Sequence, residues 1–250
     1  MTAAPPPGLF IAGTDTGVGK TIVGCALLRA AHNRGRRLIP FKPAETGAAP
    51  DPLDAHALHR AAAAPIPRDL VCLYALPLPA APQAAASQAG VTISLAAILQ
   101  RAHDLAAAGD GLLVEPAGGL LVPYAPDLTG ADLAAHLRRP VLIVARAALG
   151  TVNHTALTIA ELRRRQLQIA GIVLVRTRPD FEPHEHTNAP LIEQLTGIAP
   201  LGTIPYLGQA HPGNSLSPDP DQLAEALEQA LGASALTRLL ALATGETPPG

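Results

Sequence analysis

The sequence predicts one α/β domain, a parallel, doubly wound sheet flanked by helices. Three observations carry that expectation. Short apolar runs rich in β-branched residues alternate with stretches of helical period along most of the chain. Strands buried on both faces, joined by crossover helices, leave that pattern. A length of 250 residues suits one large α/β domain better than two small ones. Finally, 48% of the residues are hydrophobic and only 2% aromatic, so a sizeable core exists and is built from Ala, Leu, Val and Ile.

In chain order, LFIAG (9–13) is the first strand, and residues 20–34 form a helix with Val23, Leu27, Leu28 and Ala31 on one side. RLIPFK (37–42) is the second strand, and 53–63 and 92–108 are helical. Between those helices, the Pro- and Ala-rich stretch 76–91 reads as an ordered crossover loop. GLLVE (111–115), PVLIVA (140–145) and IAGIVLV (169–175) are buried strands bounded by Gly, Pro or charge, with helices at 130–138 and 153–166. A short strand near 200–204 and helices near 220–243 close the fold. The domain thus spans 9–243, between an N-terminal tail (1–8) and a C-terminal tail (244–250) whose TGETPPG is expected to fray.

Charge and composition exclude several classes. Net charge is −2 with 15% charged residues and no basic stripe, which argues against nucleic acid. No apolar run is long enough to span a membrane, and MTAAPPPG lacks the charged start and apolar centre of a secretion signal. Cys25 and Cys72 are far apart and form no metal-ligand pair. A reduced, cytoplasmic protein is the simplest reading.

Four stretches carry chemistry. GTDTGVGKT (13–21) follows a strand and opens a helix. Its glycines let backbone N–H groups face a phosphate, Lys20 reaches the outer phosphates, and the Thr21 hydroxyl suits Mg²⁺. Five residues separate Gly13 from Gly19, one more than the usual nucleotide loop, which points to a subgroup of the P-loop NTPase type. FKPAETG (41–47) puts Lys42 at a strand C-terminus, facing the crevice where such sheets bind ligands. VEPAGGLLVPY (114–124) puts Glu115 at another strand end, as an Mg²⁺ ligand or water-positioning acid or, equally, an exposed loop residue. LGTVNHTALT (149–158) reads as a helix start, which serves either plain capping or a carboxylate. Elsewhere the structural readings win. His184 and His186 in PHEH have no partner ligands nearby, His154 belongs to a helix start, Arg163 to Arg165 form a solvated helix end, and Cys25 is core.

Together, these motifs resemble those of the dethiobiotin synthetase family. GTDTGVGKT matches the family's G-T-D-T-x-V-G-K-T, five-residue gap included; KPAETG, VEPAGG and LGTVNHTALT match K-P-x-x-[ST]-G, V-E-G-A-G-G and L-G-x-x-N-H-x-x-L-T. The likeness runs from about residue 9 to 176 and is faint to 206. It implies a homodimer with shared active sites that converts 7,8-diaminopelargonic acid, CO₂ and ATP into dethiobiotin, ADP and phosphate. It implies catalytic roles for Lys42, Lys20 and Thr16. Nucleotide contacts would come from Gly13, Thr14, Asp15, Thr16, Gly17, Val18, Gly19, Lys20, Thr21, Glu115, Gly118, Val175 and Pro205. The Mg²⁺ set would be Thr21, Asp54 and Glu115. Asp15, Lys42 and Thr46 would meet the reacting end of the substrate, and Gly150, Thr151, Val152 and Asn153 its carboxylate across the dimer interface.

Three positions depart from the family pattern. Pro116 replaces a Gly and removes an N–H. Val175 replaces an Asn that reads adenine, which puts base selectivity in question. Gln83 replaces a common His. The rival readings are a carboxylate-activating amidotransferase-type synthase, a switch-type P-loop ATPase, and a degenerate nucleotide-binding homologue. The first needs a glutaminase domain with a nucleophilic Cys, and the second a Lys early in the loop; neither is here. The third rests on Pro116 alone.

Overall fold

The computed structural model describes residues 6–183, 185–208 and 218–247. Seven strands form one sheet: β1 (Gly8–Gly13), β2 (Leu38–Thr46), β3 (Cys72–Leu76), β4 (Gly111–Val114), β7 (Val141–Arg146), β8 (Ile169–Val175) and β9 (Gly202–Ile204). Their order is β3–β2–β4–β1–β7–β8–β9 and every pairing is parallel. A small antiparallel hairpin, β5 (Pro123–Ala125) with β6 (Leu128–Thr129), stands apart. The helices are α1 (Lys20–His32), α2 (Leu53–Ala62), α3 (Pro82–Gln88), α4 (Leu95–Ala106), α5 (Gly130–Leu137), α6 (Thr151–Arg164), α7 (Glu185–Thr196), α8 (Pro220–Leu231) and α9 (Ala233–Thr244).

Alternate strand residues feed two cores, one on each face of the sheet. In β1, Phe10 and Ala12 join one and Leu9 and Ile11 the other; in β7, Val141, Ile143 and Ala145 oppose Leu142 and Val144. Burial on both faces is why these strands read as unbroken apolar runs. Each fully buried Val, Leu or Ile contributes about 1.5–3 kcal/mol, so the centre of the sheet is the rigid frame. On one face α1 lies between α2 and α8, with Val23, Leu27 and Leu28 buried. Its small Gly24 permits the close approach: a Cβ there would come within 2.8 Å of Leu58 Cδ2 and 3.1 Å of Glu115 Oε2.

The structure departs from the sequence reading in four places. β2 continues past residue 42 because Lys42 to Thr46 pair with β3, an edge strand too short and too exposed to announce itself. The 76–91 stretch is not a plain loop: 76 ends β3, and Pro82 in the first turn of α3 starts a helix that buries Ala85 and Ala86. Helix α7, with Pro190 inside it and few apolar residues, was not expected. Both tails are tied down where described. Pro7 O accepts from Leu112 N at 3.0 Å, Pro6 O accepts from Arg139 Nη1 at 3.0 Å, and Glu246 pairs with Arg36. Residues 1–5 and 248–250 of those tails, and His184, lie outside the described residues. No helix among the described residues is long and apolar enough to cross a membrane.

Candidate active site

The site forms at the C-terminal edge of the sheet, where the chain turns from β1 into α1. Gly17 and Gly19 hold φ of +68° and +96°, values that cost side-chain-bearing residues about 1–2 kcal/mol. A Cβ on Gly19 would sit 2.8 Å from Val175 Cγ1, and one on Gly13 would sit 2.8 Å from Lys20 Nζ. No side chain caps α1 at Gly19, so its first-turn amides and the positive end of the helix are left for an anion. Lys20 is buried, with Nζ 3.3 Å from Asp15 O. Burial, partly offset by the Glu115 carboxylate, pushes its pKa down to about 8.

Three further elements bring charge to the same point. Lys42 Nζ, from β2, donates to Asp54 Oδ2 of α2 at 2.8 Å and to Glu115 Oε1, just past β4, at 2.7 Å. Thr21 Oγ1 donates to that Glu115 oxygen at 2.8 Å. Lys42 and Glu115 are 3% and 0% exposed, so each would be costly without the other. Burial alone drives the Lys42 ammonium pKa down, but Asp54 and Glu115 outweigh it and hold it well above the ordinary lysine value. Burial likewise opposes ionisation of Asp54, and the adjacent Lys42 overcomes it, lowering that carboxyl below its usual range.

The set expected to hold Mg²⁺, Thr21, Asp54 and Glu115, is therefore assembled from three separate parts of the fold. Its donors are all oxygens, which suits a hard dication. Glu115 Oε2 is buried with no hydrogen-bond partner, a lone-pair donor in place for a cation. The residues fit the ion on those grounds. No group of three His, Cys, Asp or Glu arranged for a metal occurs among the described residues; the set here is two carboxylates and a hydroxyl.

These side chains line one cleft of about 430 Å³. Lys42, Glu45, Thr46, Asp54 and Glu115 line it together with Thr16, Gly17, Gly19, Lys20 and Thr21 of the loop and helix start, and with Arg176, Thr177, Tyr206 and Gly208. Gly118 also faces it, with φ +69°. Two residues expected to contact nucleotide stand back from this lining. Val175 is wholly buried behind Gly19, and the wall beside it is Arg176 and Thr177; Pro205 lies outside the lining, where Tyr206 and Gly208 stand. The physical reason is strand alternation: at the end of β8, Val175 turns into the core.

The remaining loop residues set the backbone rather than the wall. Thr14 N donates to Val144 O at 3.0 Å, Gly13 bridges to Gly119, and Val18 is buried in the core. Asp15 is already engaged, accepting from Arg146 Nη2 at 2.8 Å and from Thr16 N at 2.7 Å. Beside Pro116, which has no N–H, Ala117 N donates to the buried Tyr124 hydroxyl at 2.6 Å. The loop is thus braced from the β5–β6 hairpin.

Gly150, Thr151, Val152 and Asn153 stand outside this cleft, at the start of α6. Gly150 has φ +88° and α6 has no side-chain cap. Thr151 Oγ1 is buried without a partner, Asn153 and His154 are exposed, and Leu149 beside them is 81% exposed. Sequence reading missed Glu45, Arg146, Tyr124 and Tyr206. Only Glu45 carried a signal, as a carboxylate three residues after Lys42; regular alternation puts it on the opposite face.

Comparison with known proteins agrees with this geometry. A domain family described as "AAA domain" matches residues 7–213. An ATP-dependent dethiobiotin synthetase BioD of Anaeromyxobacter dehalogenans (strain 2CP-C) is 51% identical over 200 residues, 80% of this chain and 90% of that protein. One of Bacillus thuringiensis (strain Al Hakam) is 37% identical over 201 residues, 80% of this chain and 83% of its own. Among solved structures, the MinC:MinD cell division protein complex of Aquifex aeolicus is similar over 98% of both chains, with a TM-score of 0.52 and 14% identity. That last likeness shows the fold alone.

Proposed function

The chain belongs to the family of ATP-dependent dethiobiotin synthetases, enzymes that use ATP to carboxylate diaminopelargonic acid and close its ring, and from that premise we propose how its residues divide the work. One observation carries the proposal: the buried Lys42 ammonium is paired to Asp54 and Glu115 beside the glycine loop and Lys20, in one cleft. Phosphates of ATP lie along the loop from Gly13 to Thr21, with Lys20 on the outer ones and the nucleoside toward Arg176, Thr177 and Tyr206. Glu115 and Gly118 close the phosphate end. One amine of 7,8-diaminopelargonic acid takes up CO₂ to form a carbamate and releases a proton. A carbamate oxygen attacks the γ-phosphorus and ADP leaves. The second amine attacks the resulting mixed anhydride, closing the ureido ring and expelling phosphate.

Charge handling and positioning are what the protein contributes. Lys42 balances the carbamate and the transferring phosphoryl group. Thr46 hydrogen-bonds the carbamate region, and Asp15 and Thr16 stand between amines and phosphates. Thr21, Asp54 and Glu115 would hold Mg²⁺, which when bound neutralises phosphate oxygens. The α6 start, Gly150 to Asn153, takes the substrate carboxylate of the second subunit's site in a homodimer. The unpartnered Thr151 hydroxyl and the exposed Leu149 and Leu157 support that assignment. Residues 9–243 act as one domain, and the free cysteines suit a cytoplasmic place.

The test is incubation of the purified protein with diaminopelargonate, bicarbonate and Mg-ATP. Ureido product and ADP in equal amounts are expected; no product with ATP, CTP or GTP would overturn the reading. Because a buried apolar Val175 stands where a base-reading amide is usual, product is expected with more than one of those nucleotides.

A further inference from the structure

Helix α2 has an unusual first turn. Its N-cap is Pro52, which offers no side-chain hydrogen bond. The amides that a capping side chain would take, Asp54 N and Ala55 N, instead donate to the two carboxylate oxygens of Glu45, each at 2.9 Å. Glu45 lies in another element, near the end of β2, and is 6% exposed. The contact is made although β2 keeps one register against β3 from Lys42 to Thr46. Phe41 and Ala44, three apart, both sit in the same core cluster, and Lys42 and Glu45, also three apart, both reach α2.

Asp54 is thereby held twice from one strand, its side chain by Lys42 and its backbone by Glu45. A carboxylate suits the position because both oxygens must accept and the positive end of a helix faces it. We propose that Glu45 is a positioning residue of this enzyme, clamping the first turn of α2 to β2 so that the Asp54 carboxylate stays against Lys42. The inference rests on the reaction-centre reading above. It assigns Glu45 no contact with substrate.

The experiment uses the full chain with Glu45→Ala and Glu45→Gln. Glutamine keeps one acceptor and turns its NH₂ toward the other N–H. In the alanine variant, hydrogen exchange at Asp54 and Ala55 should accelerate while the α1 and β1 amides keep wild-type protection. Turnover should fall ~10–100-fold, the range for lost outer-shell partners, with KM for ATP little changed. The glutamine variant should fall between alanine and wild type. A new N-cap, Pro52→Asp, added to Glu45→Ala should recover protection and part of the rate. Unchanged exchange, or accelerated exchange with a wild-type rate, overturns the proposal, as does a glutamine variant no better than alanine. If the alanine variant does not fold, the glutamine variant decides by the same two readings. Should the wild type make no ureido product, the functional reading fails, while the exchange data still test the clamp.

Discussion

Two helices of this protein begin in the same way and end up in different surroundings. Both α1 and α6 follow a central parallel strand, open at a left-handed glycine with φ of +96° and +88°, and lack any side-chain cap. Helices α4, α5 and α8, by contrast, are capped by Ser94, Thr129 and Asp219. Around α1, two lysines and three carboxylates line one cleft. Around α6 there is a buried, unpartnered threonine hydroxyl, an exposed leucine and an exposed asparagine. The difference teaches that an uncapped helix start only leaves amides open to an anion. On the function proposed above, neighbouring charge sets the α1 start to transform its anion and the α6 start to hold one.

Removing the charge from the first region should have the largest effect. Lys42→Ala is expected to lower kcat by ~10²–10³-fold, the range for one preorganised donor, while ATP affinity falls far less. It also leaves Glu115 buried and uncompensated, so thermal unfolding should report a loss of about 3–5 kcal/mol. A kcat within ~10-fold of wild type would collapse the distinction between the two regions.

The second region has a counterpart with the opposite signature. Thr151→Val keeps the shape and removes the orphan hydroxyl. Stability should hold or rise, since a buried group without a partner is deleted. If the hydroxyl serves the substrate carboxylate, KM for the diamine rises ~10–100-fold, as for a lost hydrogen bond to a charged group. Steady-state kinetics over diamine concentration and a melting curve together decide it.

A matched pair of glycine substitutions sharpens the comparison. Gly19→Ala meets the left-handed strain of about 1–2 kcal/mol and a Val175 methyl 2.8 Å from the new Cβ. Gly150→Ala meets the same strain, but its nearest neighbour in space, His154 Cε1, is 3.8 Å away. Gly19→Ala should therefore lower the melting temperature more, and abolish nucleotide binding; equal shifts would show the close approach to be soft.

The smallest effect tests whether the two regions meet across subunits. Lys42→Ala and Asn153→Ala chains are each impaired at one half of a shared site. A verified heterodimer has one intact site and should regain about half the wild-type rate per dimer. No recovery would place both regions in a single subunit's site.

Much of this was legible beforehand because it is local. The glycine loop, its lysine and threonine, and the strands around it follow from short-range pattern and backbone sterics. Glu45 was not legible, because regular alternation puts it on the face opposite Lys42, and only the packing of α2 against β2 brings both to the same helix. Arg146 and Tyr124 were missed for a related reason: their partners, Asp15 and Ala117, lie on other segments. Val175 was read by its place in a motif; that it packs in the core behind Gly19 was set by the tertiary structure.

The sequence by itself determined the sheet of apolar strands, the phosphate-type loop and the residue types available for chemistry, since periodicity and glycine placement act over a few residues. Only the tertiary structure decided which charges pair. Lys42 of β2 is brought within 2.8 Å of both Asp54 on α2 and Glu115 at the end of β4. That arrangement depends on strand order and helix packing, and holds because a buried ammonium and a buried carboxylate are each stable only in the other's company.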